Sequence, residues 1–217
     1  MTEYVGMANA EQGARRRADA RGHNLPRLII ATFLQLMRTH DPHNISFRDI
    51  AAAAGISHMA PYRHFGSKQA LLDRIADLGF AMLAQSLEEA AGRHARAPRR
   101  QMDAACACYY RFAVDNPAYA QVMFGTERGL WNKAGPLPAF ERTRAILRRI
   151  IRACRLAGDL PGGVDDDRVL ALLWPLVHGY TLLAATRVLT ERDAGAPDAF
   201  LADGVNVILA GLAGSAR

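Results

Sequence analysis

The chain has 217 residues, of which 50% are hydrophobic and 22% are charged, a composition typical of a folded protein rather than a disordered one. A chain of this length can bury a core without metal or disulfide crosslinks, and its three cysteines cannot all pair, which argues against a secreted disulfide scaffold. The formal net charge of +6 favours an anionic partner, either nucleic acid or an acidic membrane surface.

Residues 1–24 are polar, rich in Ala, Arg and Gly, and show no hydrophobic period, so we expect a flexible basic arm. No apolar run of signal-peptide length precedes the arginines of this segment, and we expect a cytoplasmic protein. From Leu25 the pattern changes to helical spacing. The apolar residues that carry this period are Leu25, Leu28, Ile29, Phe33, Leu36 and Met37.

Two short helices joined by a tight turn are predicted next. Ser46 and Asp49 form a capping-box pattern, which satisfies free N–H groups at the start of a helix over 47–54. Gly55 can adopt the positive φ that a tight turn needs, and Ser57 can cap a second helix that runs through Phe65. This is the helix-turn-helix arrangement, and the outward face of the second helix has a size that fits the major groove of DNA.

This stretch contains Phe47-Arg48-Asp49-Ile50-Ala51-Ala52-Ala53-Ala54-Gly55-Ile56-Ser57, followed by Pro61-Tyr62-Arg63-His64-Phe65-Gly66-Ser67-Lys68-Gln69-Ala70-Leu71-Leu72. These residues resemble the DNA-binding signature of the TetR (tetracycline-repressor) family. The resemblance implies a dimeric helical repressor with an N-terminal three-helix DNA-binding domain and a C-terminal domain for ligand binding and dimerisation, without a cofactor. The implied partners are double-stranded operator DNA, a small-molecule effector and a second copy of the chain.

The resemblance also implies roles for individual residues in binding DNA. Phosphate contacts are expected at the start of the first motif helix, base contacts at the start of the recognition helix, and backbone contacts from a Tyr and His pair and a Lys. These DNA-binding residues are Ser46, Arg48, Ser57, His58, Met59, Tyr62, Arg63, His64 and Lys68. Pro61 stands where many members have a helix former, in a first turn where the lost N–H is tolerable. His64 could instead be a core or hinge histidine, and Met59 could serve packing.

The pattern of the remaining sequence predicts further helices, about nine in all, separated by regularly spaced segments that contain Pro and Gly. No segment alternates with period two, so the predicted fold class is all-α. Domain boundaries are expected at 24/25 and 70/71, which gives a helix-turn-helix domain over 25–70 and a ligand-binding and dimerisation domain over 71–217. Residues 1–68 hold nine basic and five acidic residues, so most of the positive excess lies on the arm and the DNA-binding domain.

Large apolar and polar-tipped side chains in the C-terminal part are candidates for a ligand pocket, although core packing explains many of them equally well. The pocket candidates are Tyr109, Phe112, Phe124, Trp131, Ile150, Trp174 and His178. The segment Leu176-Val177-His178-Gly179-Tyr180 resembles the Trp-His-Gly segment of one family subset, with Val177 in place of Trp. Two apolar stripes suggest a dimer interface of two helices from each subunit. Its candidates are Leu170, Leu173, Val177, Thr181, Phe200, Val205, Ile208, Leu209 and Leu212.

Alternatives to this interpretation remain open. Residues 169–186 are uncharged and approach the length of a membrane span, but a buried helix of a soluble protein explains them better, and no membrane partner is expected. Cys106 and Cys108 could bind metal with His94 or His178, yet residues two apart on a helix point in different directions, so no metal site is predicted. No catalytic motif is found, so an enzyme is not predicted. An activator, a DNA binder without ligand control, or a ligand-binding or redox protein that uses Cys154 and lacks DNA binding are the remaining possibilities.

Overall fold

The structure, a computed structural model, describes residues 24–125, 136–160 and 162–215. All secondary-structure elements assigned within these residues are helices, which confirms the all-α prediction. A 3-10 turn over Pro42–Asn44 separates the first two helices. In chain order the helices are α1 (24–36), α2 (Phe47–Ala54), α3 (Ala60–Phe65), α4 (Lys68–Gly92), α5 (Pro98–Asp115), α6 (Pro117–Phe124), α7 (Pro138–Leu156), α8 (Asp166–Ala185), α9 (Glu191–Ala194) and α10 (Pro197–Ser215).

The chain divides into two compact units, with the boundary between Ile75 and Ala76 inside α4. This boundary lies five residues beyond the predicted one at 70/71. Apart from Asn24, which begins α1, the predicted basic arm falls outside the described residues.

The first unit has a small core of fully buried aliphatic and aromatic residues. Ile29 and Phe33 of α1 pack in this core together with Ile50 of α2 and Leu71 of α4, each with no solvent exposure. The predicted apolar stripe of α1 needs one correction, because Leu28 is 42% exposed and the neighbouring Ile30 is buried in its place. Adjacent residues on a helix lie about 100° apart around its axis, so Leu28, Ile29 and Ile30 cannot all face the core, and the pattern alone does not say which of them is exposed.

Helices of the second unit begin where proline predicts. Pro98, Pro117, Pro138 and Pro197 each stand at the first residue of a helix, where the missing N–H would have no intrahelical partner. Helix α5 packs against α6, α7, α8 and α10, and α7 and α10 also pack against α8. The core of this unit therefore lies around α5.

Helix α7 is tied to the second half of α4 by polar contacts as well as by packing. The fully buried Thr143 hydroxyl lies 3.2 Å from the Phe80 carbonyl oxygen of α4 and 2.9 Å from the Ala139 carbonyl oxygen. The Ala139 N–H donates to the Asp77 carboxylate of α4 at 3.1 Å, so a side chain of one helix caps the start of another. The Phe80 and Phe140 rings meet edge to face with centroids 5.1 Å apart.

Helix α8 is the one helix within the described residues that is long and apolar enough to cross a membrane, judged by length and composition. One of its faces, which includes Val169, Val177 and Tyr180, is buried within the subunit. Next to this face, Leu176 packs closely on α10, since a Cβ atom at Gly204 would lie 2.8 Å from its side chain. About 33% of the apolar stretch of α8 is buried within the chain.

Candidate DNA-binding surface and ligand cavity

The helix-turn-helix is built by a cap and a glycine turn. The Ser46 hydroxyl accepts from the Asp49 N–H at 3.2 Å, and the Ser46 N–H donates to the Asp49 carboxylate at 2.8 Å, which completes the predicted capping box. The Ser46 hydroxyl also donates to the Asp49 carboxylate at 2.6 Å, and this bond and the one from the Ser46 N–H hold the pKa of Asp49 below its usual value. Gly55 ends α2 with φ 64° and ψ 35°, the left-handed conformation that glycine adopts without strain. The sequence thus specifies both the start and the end of α2.

Helix α3 begins later than predicted. Ser57 is predicted to cap a helix through Phe65, but α3 starts at Ala60, and Met59 at its N-cap makes no side-chain cap hydrogen bond. Residues 57–60 form a turn closed by the Ala60 N–H and the Ser57 carbonyl at 2.9 Å. Pro61 lies in the first turn of α3, as predicted, where its ring needs no hydrogen-bond donor.

The outer surface of this turn and helix is well exposed. The side chains of Met59 and Tyr62 are 59% and 52% exposed. The Tyr62 ring packs edge to face on the buried Phe47 of α2 with centroids 4.8 Å apart, which fixes the ring and leaves part of it on the surface. The remaining exposed side chains of this surface belong to Ser57, His58, Arg63 and His64. The exposure of His64 places it on the surface rather than in the core.

Three further predicted DNA-binding residues flank this surface. Arg48 is exposed on α2. Ser46 is exposed too, but its hydroxyl is engaged with Asp49, so its first role is that of a cap. The Lys68 ammonium donates to the His43 carbonyl oxygen at 2.7 Å, which ties the start of α4 to the turn before α2.

A cavity of about 50 Å³ lies in the second unit between α5, α7 and α8. Its wall exposes almost no polar atom. Each helix contributes residues spaced three or four apart, which brings them to one face. The lining residues are Met102, Ala105, Cys106, Tyr109, Leu147, Ile150, Ile151, Leu170, Leu173, Trp174 and Val177.

The structure brings five of the seven pocket candidates together. Tyr109, Ile150 and Trp174 line the cavity. The Tyr109 hydroxyl lies 2.9 Å from Nδ1 of His178, and the Phe124 ring lies against His178 with centroids 4.8 Å apart, so both residues stand behind the cavity wall. Phe112 is buried on α5 but does not line the cavity, which corrects its assignment. The seventh candidate, Trp131, falls outside the described residues.

Lining residues that the sequence interpretation missed are mostly aliphatic. Met102, Ala105 and Cys106 precede Tyr109 on α5 at helical spacing, and Leu147 and Ile151 flank Ile150 on α7. The signal that could have found them is the spacing of seven, four and three residues back from Tyr109. Such a stripe looks the same whether it fills a core or lines a void, so it does not single them out.

Several predicted dimer residues are buried in their own subunit instead. Leu170, Leu173 and Val177 line the cavity and Thr181 donates to the Val177 carbonyl at 2.7 Å, each with 7% exposure or less. On α10 the predicted dimer residues Val205, Leu209 and Leu212 are buried as well. The other two candidates on this helix, Phe200 and Ile208, are partly exposed. The stripe assigned to a partner therefore packs within the subunit.

The titratable groups at the cavity are held uncharged. Burial raises the pKa of the Tyr109 phenol and lowers the pKa of the His178 imidazole, so this hydrogen-bonded pair is neutral near pH 7. Burial also raises the pKa of the Cys106 thiol to about 12. Cys108 lines a different groove, beside Ser86, so the two cysteines face apart as their spacing predicts. Within the described residues, no three His, Cys, Asp or Glu side chains lie close enough together to hold a metal ion.

Comparisons with known proteins agree with this geometry. The family model "Bacterial regulatory proteins, tetR family" matches residues 29–75, and the model "Tetracyclin repressor-like, C-terminal domain" matches residues 102–208. No curated protein sequence matches the chain.

Solved structures with this fold cover most of the chain. A Rhodococcus sp. RHA1 protein of unknown function is 28% identical with a TM-score of 0.73, over 87% of this chain and 95% of its own. The TetR family transcriptional regulator PfmR from Thermus thermophilus is 21% identical with a TM-score of 0.61, over 85% of this chain and 98% of its own. The fatty acid degradation regulator FadR from Bacillus halodurans is 13% identical with a TM-score of 0.62, over 85% and 98% of the two chains.

The matched models do not separate the Trp-His-Gly subset from the rest of the family, so that assignment stays a prediction. The helix-turn-helix, its exposed recognition surface, the all-helical C-terminal unit and the two family models together place the chain in the tetR family of bacterial transcriptional regulators.

Proposed function

We propose that the protein is a ligand-responsive transcriptional repressor that binds a palindromic operator as a homodimer. The observation that carries this proposal is the exposed surface of α3 and the preceding turn, where Met59 and Tyr62 remain half-exposed beside Arg63. Met59 can offer an apolar contact to a base edge, and the arginine near it can contact a base or a phosphate. We assign His58 and Met59 to base contacts, and Tyr62, His64 and Lys68 to contacts with the DNA backbone.

We assign the dimer interface to the outer sides of α8 and α10. Exposed apolar residues on α8 include Leu172, Leu182 and Leu183, with exposures of 38%, 56% and 42%. On α10, Val207 is 71% exposed. Apolar side chains this exposed on two helices that pack together favour burial against a second copy by two-fold symmetry. Replacing Leu182 or Val207 with Arg should convert a dimer to a monomer in sedimentation velocity, whereas Val114→Arg on α5 should leave it a dimer.

Ligand binding would reach the DNA-binding unit through α4, the helix that both units share. The cavity touches α7 at Ile150 and Ile151, and α7 is tied to α4 through Thr143 and Asp77. Removing the Thr143 hydroxyl with Thr143→Val keeps the side-chain shape but loses a buried hydrogen bond between these helices. We expect this variant to bind both ligand and DNA while the ligand releases DNA less completely.

A footprint on DNA upstream of the gene tests the function as a whole. The wild type should protect a segment with two-fold symmetry, and Met59→Ala should change which bases are protected. Tyr62→Phe serves as the matched control, because it keeps the ring against Phe47 and should keep the protected sequence. Protection with no sequence preference, or none at all, would contradict the proposal and favour a ligand-binding or redox protein without DNA binding.

An activator would give the same footprint, so a reporter assay separates the two outcomes. Deleting the gene should raise expression from the bound promoter if the protein represses it and lower that expression if it activates. The regulators of this family act by binding DNA rather than by catalysis, and we propose the same for this chain, in the cytoplasm where its operator lies.

A further inference from the structure

The cavity between α5, α7 and α8 has an unusual wall for a ligand site, because it contains no ionised group. None of its lining residues is Lys, Arg, Asp or Glu, and the wall presents almost no polar atom. Ligand sites are mostly apolar, but they commonly include a few polar groups that orient the ligand. A charged or strongly polar group buried here would find neither a counter-ion nor a hydrogen-bond partner.

The hydroxyl of Tyr109, the polar side chain at the cavity wall, is hydrogen-bonded to a neighbouring side chain. The Tyr109 hydroxyl and His178 Nδ1 lie 2.9 Å apart, and the Tyr109 side chain is almost wholly buried. Both groups are neutral near pH 7, and the Cys106 thiol stays protonated. The pair therefore offers no charge to an anion such as a carboxylate.

The size of the cavity limits the buried part of a ligand. A water molecule occupies about 10–15 Å³ on the same measure, so a cavity of about 50 Å³ holds roughly three to five groups of that size. Met102 is a flexible side chain that can make further room.

We propose that this cavity binds an uncharged hydrophobic compound, with a short alkyl chain or a part of similar size buried between Ala105, Ile150 and Val177. The role of this compound as the effector that releases DNA rests on the proposed function, whereas its binding to the cavity does not. The matched probes are 1-hexanol and hexanoate, which both have an unbranched skeleton of six carbon atoms and differ in charge at neutral pH.

Titration calorimetry on the full chain measures the binding directly. We expect 1-hexanol to bind and to raise the midpoint of thermal unfolding, and hexanoate to bind at least about 100-fold more weakly, since its carboxylate loses hydration without compensation. Equal affinity for the two probes would overturn the proposal, as would tighter binding of hexanoate or no binding of 1-hexanol.

Variants of the wall locate the site. Ala105→Leu adds an isopropyl group that occupies the cavity, and we expect at least a tenfold loss of 1-hexanol affinity, about 1.4 kcal/mol. Ala104→Leu is the control, because Ala104 precedes it on α5 and lines a different surface groove, so affinity should be unchanged. Val177→Ile adds a single methylene from α8 and should weaken binding without a large change in the fold. Unchanged affinity in both Ala105→Leu and Val177→Ile would overturn the proposed location.

DNA binding is a separate measurement on the same samples. Binding of 1-hexanol in the cavity by a protein that does not bind DNA would refute the proposed function and support the ligand site. DNA binding that responds to neither probe, together with no heat of binding from 1-hexanol, would overturn the ligand site and leave DNA recognition standing.

Discussion

Arg48 on α2 and Arg63 on α3 allow an electrostatic test of the DNA-binding surface, because both guanidinium groups are exposed. Lys68 at the start of α4 supplies a third cation in each subunit, although its ammonium already donates to the His43 carbonyl. A dimer in which all three contact phosphate makes about six such contacts, so the slope of log K against log salt concentration is about −5. Affinity then falls by about 10³-fold between about 50 and 200 mM salt.

Arg48→Gln removes one phosphate contact from each subunit and should reduce that slope to about −3.6. The loss of affinity over the same range of salt falls to about 10²-fold. Fluorescence anisotropy with a labelled duplex of random sequence measures both slopes, because this part of the binding energy does not depend on base sequence. Since Arg48 lies on the surface, the substitution should leave the fold intact.

The matched control is Arg192→Gln on α9, an exposed arginine in the second unit, which should keep the wild-type slope. An unchanged slope in Arg48→Gln would refute the assignment of Arg48 to phosphate. An equal reduction in Arg192→Gln would show that net charge, rather than this surface, sets the salt dependence.

Further predictions concern stability and reactivity. Gly55→Ala should lower the free energy of unfolding in urea by about 1–2 kcal/mol because its φ is positive, whereas Gly92→Ala, where a Cβ meets open space, should not; equal effects would contradict the turn geometry. Burial lowers the pKa of His178 below 6.5, so the unfolded chain binds more protons than the folded chain as the pH drops through 6.5. The free energy of unfolding should therefore fall over this range, and His178→Gln should remove this contribution to the pH dependence; the same pH dependence in the wild type and the variant would contradict the pKa shift. Cys106 has a thiol pKa of about 12, so it should react with iodoacetamide at about pH 8 roughly 10³-fold more slowly than a free cysteine. A rate equal to that of a free thiol would show instead that Cys106 is reactive.

The DNA-binding part could be predicted from the sequence because its local signals have only one structural solution. A Ser and Asp three residues apart make a cap, and Gly55 ends the helix that they begin. The proline at the start of α5 or α7 marks a helix start in the same way. The predicted start of α3 is wrong by a few residues: the Ser57 hydroxyl accepts from the Met59 N–H at 3.3 Å, but the chain first makes the turn closed by the Ala60 N–H and the Ser57 carbonyl, and the α-helix begins after it.

The faces of α8 could not be predicted, because this helix is uncharged almost throughout and so has no polar side to mark the surface. Leu173 and Val177 face the cavity, while Leu172 and Leu182 face outward, and all four are equally apolar. Which stripe is buried depends on α5 and α7, which are distant in sequence. The cavity itself depends on the packing of three helices, and no single lining residue indicates from the sequence that a cavity is present.

Selection of bound sequences from a randomised duplex library tests the central claim most directly. We expect the wild-type protein to enrich an inverted repeat bound by two subunits. Replacing Met59 or His58 with Ala should alter the preferred bases within each half, while Arg48→Gln should weaken binding to all sequences alike. A library that remains random after selection by the folded wild-type protein, or an enriched motif that is identical in the Met59 and His58 variants, would contradict the claim that this surface reads DNA.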